Sequence, residues 1–257
     1  MNSNSCLPTF IIGGAPRSGT TYLTEALDRH PQVTMARPFV PEPKVFMGSR
    51  QPLDVYLQRY CALFGGAAQT PARGEKTSYY LESAGACDLI HQVVPDVRIL
   101  FIVREPVARA YSNYLKTRKG GLETLSFEEA IALEGRRPSP LPPEKDYARP
   151  FDYLTRGDYC SFARPYYDKF GPDQIRFMIY EDIVVRPRQF WKEIQVFLGL
   201  HEVSFEELDV GVVNSAKEVG PSIDPEMERR LRDRMAPLVQ QFASLTGLDL
   251  SQWGYAA

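Results

Sequence analysis

Residues 9–21 read TFIIGGAPRSGTT, and the run Gly13–Thr21 within them, GGAPRSGTT, governs how the rest of the chain is read. Thr9–Ile12 is a short apolar run that enters a Gly-rich turn, Gly13–Gly19. A helix is expected from Thr20 to about Arg29, stopped by Pro31. Strand, Gly-rich loop and helix in that order point backbone N–H groups at an anion. Here the N–H groups of Ser18, Gly19, Thr20 and Thr21, the helix N-terminus and the neighbouring hydroxyls would converge on one ligand. Arg17 adds a fixed positive charge with several donors. Gly14 and Gly19 have the G-x-x-x-x-G spacing of a P-loop. A kinase or ATPase would follow it with Lys and then Ser or Thr. This chain has Thr20 and Thr21 instead, and its basic residue lies inside the loop.

Strands and helices alternate outward from this turn. Helices are expected over Leu53–Phe64, Ala84–Val94, Pro106 to about Lys116, Tyr159–Phe170, Ile183–Leu198 and Pro225–Leu245. Asp224 should cap the last of these, with Glu228 as its capping-box partner. Arg98–Val103, RILFIV, is short, nearly all apolar and bounded by polar residues, as in a strand buried on both faces of a parallel sheet. Gln174–Ile179 reads as a further strand. Gly65–Gly74 reads as a loop, and the Pro-rich stretch Gly135–Pro150 as a mobile surface loop. The pattern predicts a three-layer, P-loop-like α/β fold, one domain over residues 1–257, with a central, mainly parallel sheet flanked by helices.

Composition excludes several classes. The chain has 257 residues, 44% hydrophobic and 24% charged, with a formal net charge of -2. A general nucleic-acid binder would be clearly basic, so no nucleic-acid partner is expected. No apolar run approaches the ~20 residues of a membrane span, and the N-terminal residues do not read as a signal peptide. The four cysteines, Cys6, Cys61, Cys87 and Cys160, have no C-x-x-C spacing and read as free thiols. A cytoplasmic protein is the expectation. No His, Asp or Glu cluster has metal-ligand spacing, so no metal is expected.

Two further segments carry chemistry. Arg104 directly follows the RILFIV strand, at the strand end where ligands collect in open α/β sheets. Ser112 lies about two helical turns further on, and an arginine with a hydroxyl is a reasonable clamp for a terminal phosphate. Arg109 could join them or pair on the helix surface. The third segment is Arg73–Tyr80, RGEKTSYY. The three histidines, His30, His91 and His201, fall in unpromising positions for a general base. Glu75 is the better candidate, with Lys76 beside it; an ordinary surface Glu–Lys pair is the alternative.

The run PRSGTT resembles the 5′-phosphosulfate loop of sulfotransferases that use PAPS (3′-phosphoadenosine-5′-phosphosulfate). The Arg104–Ser112 pair resembles their 3′-phosphate motif, and GEKTSYY resembles a segment of the heparan sulfate sulfotransferases. The resemblance implies transfer of a sulfuryl group from PAPS to an acceptor hydroxyl, less readily an amine, with release of PAP. It implies that Arg17, Ser18, Gly19, Thr20, Thr21, Arg104 and Ser112 bind the donor. It also implies that Glu75 takes the acceptor proton, with Arg17 and Lys76 stabilising the transfer. EPKVF, Glu42–Phe46, looks like an acceptor-side segment in which Lys44 lines the site. Asn214–Met227 looks like a late loop that closes over the nucleotide, with Lys217 as a phosphate contact. The acceptor could be a small molecule, a saccharide, a lipid or a carrier-bound hydroxyl. A nucleotide kinase or NTPase and a non-catalytic PAP-binding protein are the rival readings.

Overall fold

A computed structural model describes residues 6–64, 70–211 and 222–255. In chain order the elements begin with β1 (Phe10–Gly14), α1 (Thr20–Leu27), β2 (Val33–Met35), α2 (Leu53–Phe64), β3 (Ala72–Lys76), α3 (Ala84–Val93) and β4 (Arg98–Val103). They continue with α4 (Pro106–Lys119), α5 (Phe127–Ala132), α6 (Tyr159–Lys169), β5 (Ile175–Ile179), α7 (Asp182–Val185), α8 (Pro187–Leu198), α9 (Phe205–Leu208) and α10 (Pro225–Thr246). Where the sequence reads as one domain, the chain divides into two compact units. The first comprises the described residues within Met1–Val103 and Pro165–Asn214; the second comprises those within Arg104–Arg164 and Ser215–Ala257.

The first unit holds the sheet. Its five strands run in the order β2-β3-β1-β4-β5, and every pairing is parallel. Parallel strands covered on both faces read as near-continuous apolar runs; β1 is apolar throughout, and β4 and β5 are so apart from the exposed Arg98 and Arg176. β1 is buried at all five positions, and β4 at all but its first. Phe10, Ile12, Leu100, Ile102 and Met178 pack with Leu23, Leu27, Trp191 and Ile194 from α1 and α8. Each such side chain contributes about 1.5–3 kcal/mol by leaving water. Phe101 and Phe177 point the other way and stack at 4.9 Å, with Tyr166 edge-on to Phe101 at 4.8 Å.

β3, with the sequence ARGEK, is the exception. It begins at Ala72, inside the stretch expected to be a loop. Its polar composition hides it, because its side chains form a buried polar cluster and not an apolar face. Gly74 is required there: a Cβ would lie 2.2 Å from Phe10 Cζ and 2.5 Å from Met35 Sδ. β2 has only three residues and gives too short a pattern to read. The helix expected over Ile183–Leu198 is two helices, α7 and α8. Arg186, which precedes Pro187, sits at φ -144° and ψ 59°, outside the helical region that a following proline disfavours.

The second unit has a helical core in which Val107 and Tyr114 of α4 meet Phe127, Tyr153, Met227, Leu231 and Met235. Asp224 caps α10 as expected, accepting from Met227 N at 3.0 Å. Glu228 is not its box partner; it lies one residue too far along and accepts from Arg232 at 3.3 Å. The capping box is at α5, where Ser126 and Glu129 satisfy each other's backbone N–H groups.

The stretch expected to be a mobile loop is tied down at both ends. Glu134 accepts from the backbone N–H groups of Tyr153, Leu154 and Thr155. Arg137 donates twice to Glu123, at 2.9 and 2.6 Å, and lies over the Phe151 ring. Glu123 also accepts from the Tyr153 hydroxyl at 2.6 Å. Burial alone would raise its pKa. The bonds from Arg137, Tyr153 and the Leu125 amide outweigh burial and hold it at about 2. A carboxylate depressed in the folded state stabilises above its unfolded pKa, and that stability is lost as pH falls through the folded value. Thermal unfolding followed from pH 5 to pH 2 should therefore show a smaller loss of Tm for Glu123→Gln than for the parent. Parallel curves would remove Glu123 from the acid response.

Candidate active site

At the end of β1 the backbone turns sharply. Gly14 has φ 152°, Arg17 φ 70° and Gly19 φ 88°. A Cβ on Gly14 would lie 2.8 Å from Leu81 Cβ and 2.9 Å from the Ser78 carbonyl oxygen. A Cβ on Gly19 would lie 2.8 Å from the Tyr180 ring. The turn thus needs glycine at both ends. Arg17 holds a left-handed conformation that an ordinary side chain adopts only at a cost of about 1–3 kcal/mol, the kind of strain that collects at functional sites.

Gly19 is the N-cap of α1, and no side chain caps that helix. Ser18 is fully buried, and its Oγ has no hydrogen-bond partner among the described residues. Buried hydroxyls are nearly always paired, so an orphaned one beside an uncapped helix N-terminus fits an anionic ligand's oxygen. Arg17, Ser18, Thr20 and Thr21 lie together on this turn with the first N–H groups of α1.

The loop is joined to β3 by a chain of polar contacts. Thr20 Oγ1 lies 3.0 Å from Ser78 Oγ. Ser78 Oγ donates to Glu42 Oε1 at 2.7 Å, and Ser78 N donates to Glu42 Oε2 at 3.0 Å. Lys76 Nζ donates to the same Glu42 Oε1 at 2.7 Å. The Lys76 side chain is 6% exposed and that of Glu42 is 15% exposed. A partly exposed glutamate side chain therefore lies two hydrogen bonds from the first residue of α1.

Glu75, expected as the base, is elsewhere in this arrangement. It is fully buried. Its Oε2 accepts from the Tyr60 hydroxyl at 2.8 Å, and its Oε1 accepts from Thr77 Oγ1 at 2.6 Å and from the Tyr80 hydroxyl at 2.9 Å. Burial raises its pKa despite those bonds. An acceptor substrate cannot reach a carboxylate enclosed by three side chains, so Glu75 is unsuited to take its proton. The surface Glu–Lys alternative fails too, since both Glu75 and Lys76 are buried. Lys76 pairs with Glu42, not with Glu75. Lys44 lies on the loop that follows Glu42, with φ 51° and its N–H donating to Thr77 Oγ1 at 3.0 Å.

Arg104, Arg109 and Ser112 lie in the second unit. Arg104 directly follows the last residue of β4, and its carbonyl accepts from the Tyr159 hydroxyl at 2.8 Å. Ser112 is half-buried on α4. Arg109 is fully buried and donates to the Tyr153 carbonyl, so it is no helix-surface residue. Lys217 lies outside the described residues. His30 is buried, with its ring nitrogens at 3.1 Å from the His201 carbonyl and the Gln32 N–H, a structural role. Glu42 and Ser78 are the residues that sequence reasoning passed over. The signal for Glu42 was EPKVF, already singled out, but the lysine in it drew the attention. Among the described residues, no group of three or more His, Cys, Asp and Glu side chains is placed to hold a metal ion, and no helix is long and apolar enough to cross a membrane.

An all-parallel sheet with a Gly-rich strand-to-helix turn after its central strand defines an α/β fold of the P-loop-like class. The Sulfotransferase domain model matches residues 7–215, and the chain belongs to that family. It is similar to the heparan sulfate glucosamine 3-O-sulfotransferase 3A1 of Mus musculus, 26% identical over 95% of this chain and 64% of that protein. The chain thus spans about two-thirds of that relative's length. The mouse heparan sulfate glucosamine 3-O-sulfotransferase 6 is 34% identical over 76% of this chain and 53% of its own. The crystal structure of a sulfotransferase from Alicyclobacillus acidocaldarius superposes with a TM-score of 0.75 at 27% identity, covering 96% of this chain and 98% of that one. A mouse sulfotransferase, SULT7A1, solved with PAP, shares the fold with a TM-score of 0.55 at 15% identity, over 90% of this chain and 83% of its own.

Proposed function

We propose that the chain O-sulfates a saccharide hydroxyl with PAPS as donor, and that Glu42 is its general base. The observation that carries this reading is the contact chain Thr20–Ser78–Glu42–Lys76, which sets a partly exposed carboxylate beside the anion loop. PAPS supplies a sulfuryl group on a good leaving group, the 5′-phosphate of PAP. The acceptor oxygen bonds to sulfur as the bond from sulfur to the bridging oxygen breaks. The electron pair leaves with PAP, and Glu42 takes the acceptor's proton. Arg17 and the N–H groups at the start of α1 stabilise charge on the departing phosphate. Lys76 orients Glu42 through its hydrogen bond to Oε1. Arg104 and Ser112 are assigned to the 3′-phosphate on their sequence pattern, and Lys44 to the acceptor. The saccharide acceptor is proposed by analogy with the heparan sulfate relatives.

Incubation with radiolabelled PAPS and a panel of acceptors tests this directly. Label should enter sulfatable oligosaccharides, and PAP should accumulate in equal amount. PAP binding without label in any acceptor would favour a non-catalytic protein. Label confined to phenols or lipids would overturn the saccharide assignment.

A further inference from the structure

Glu75 is buried and hydrogen-bonded three times, an expensive arrangement to keep unless it does something. A carboxylate only accepts, so each hydroxyl that meets it must turn its proton inward. That leaves the lone pairs of Thr77 and Tyr80 facing out. Both are used: Lys44 N–H donates to Thr77 Oγ1 at 3.0 Å, and Phe46 N–H donates to the Tyr80 hydroxyl oxygen at 3.1 Å. These two amides bracket Val45 in the loop that carries Glu42. Beside them, Arg59 of α2 donates to the carbonyls of Val45 at 2.9 Å, Pro43 at 3.2 Å and Lys44 at 3.4 Å. Phe46 completes the hold, with its ring 5.5–5.8 Å from those of Tyr56, Tyr60 and Tyr80.

We infer that Glu75 is a positioning residue: by accepting the hydroxyl protons of Thr77 and Tyr80 it turns their lone pairs toward the amides of Lys44 and Phe46. Together with Arg59, it thereby fixes the loop that presents Glu42. The loop needs such support. Lys44 has φ 51°, a left-handed backbone that relaxes unless its surroundings impose it. Arg59 and the Glu75 cluster grip the same three or four residues from two sides, one through carbonyls and one through N–H groups. The inference rests on Glu42 being the base, but the loop geometry it describes can be tested apart from the chemistry.

Three variants decide it: Glu75→Gln, Thr77→Val and Arg59→Met. In Glu75→Gln the remaining carbonyl oxygen still accepts from Thr77 and Tyr80, and the new amide faces Tyr60, whose hydroxyl can turn to accept. Saccharide sulfation by this variant should stay within about threefold of the parent, whereas loss of a general base costs about 10²–10⁴-fold. Thr77→Val and Arg59→Met each release part of the loop. They should lower kcat about 10-fold or more, the scale of a misplaced catalytic group, with PAP affinity held. Amide hydrogen exchange at Lys44, Val45 and Phe46 should rise in both and stay unchanged in Glu75→Gln. A loss above 100-fold in Glu75→Gln with unchanged exchange would overturn the inference, because Glu75 would then act on the reaction itself. Unchanged exchange in both Thr77→Val and Arg59→Met would overturn it as well. If the parent sulfates no acceptor, the exchange measurements still decide, so failure of the functional reading and failure of this one are distinguishable.

Discussion

Glu42→Gln is expected to lower kcat for sulfuryl transfer by about 10²–10⁴-fold, the usual contribution of a positioned base, while calorimetric affinity for PAP changes little. Glutamine has the same shape and can still accept from Ser78 N–H, so the loop end of the contact chain should survive. What disappears is the basicity, together with the charge that partners Lys76. Lys76 is 6% exposed, and a buried ammonium that has lost its partner destabilises by several kcal/mol. The double variant Glu42→Gln, Lys76→Met removes that complication. It should recover Tm without recovering turnover. A kcat that stays near the parent's in Glu42→Gln would remove Glu42 from the chemistry.

The fold was legible wherever apolar pattern carries the information. RILFIV is β4 to the residue, and α2 falls on Leu53–Phe64 as its spacing requires. β3 was not legible, because its buried face is polar and its partners come from distant elements. The same fact bears on the base expected from the sequence. In sequence, GEKTSYY offers a Glu and a Lys side by side. Strand alternation sends Glu75 inward under Tyr60 and Tyr80 and Lys76 the other way toward Glu42. Which carboxylate meets solvent depends on a loop more than thirty residues earlier in the chain. The anion loop was legible because it is local: strand, glycines, arginine and helix start lie within 13 consecutive residues, and adjacency in sequence is adjacency in space.

Arg17 should give the other large effect, and its sign differs between stability and activity. Arg17→Gly removes the guanidinium proposed to meet the 5′-phosphosulfate, so kcat should fall about 10²–10³-fold, the cost of losing one charge-stabilising donor. PAP should bind more weakly as well. Yet Arg17 sits at φ 70°, where glycine is unstrained and arginine is not. Relief of that strain is offset in part by glycine's greater freedom in the unfolded chain, so Tm should hold steady or rise. Arg17→Ala keeps the strain and loses the charge, so it should match the glycine variant in activity and fall below it in Tm. Arg17→Lys keeps a charge but not the planar fork, and should recover only part of the rate. The decisive comparison is kcat against Tm across the three variants. An inactive but undiminished Arg17→Gly identifies a residue held in strain for its chemistry. Parallel loss of Tm and kcat would mean that Arg17 serves the fold and that the anion is held by N–H groups and hydroxyls alone.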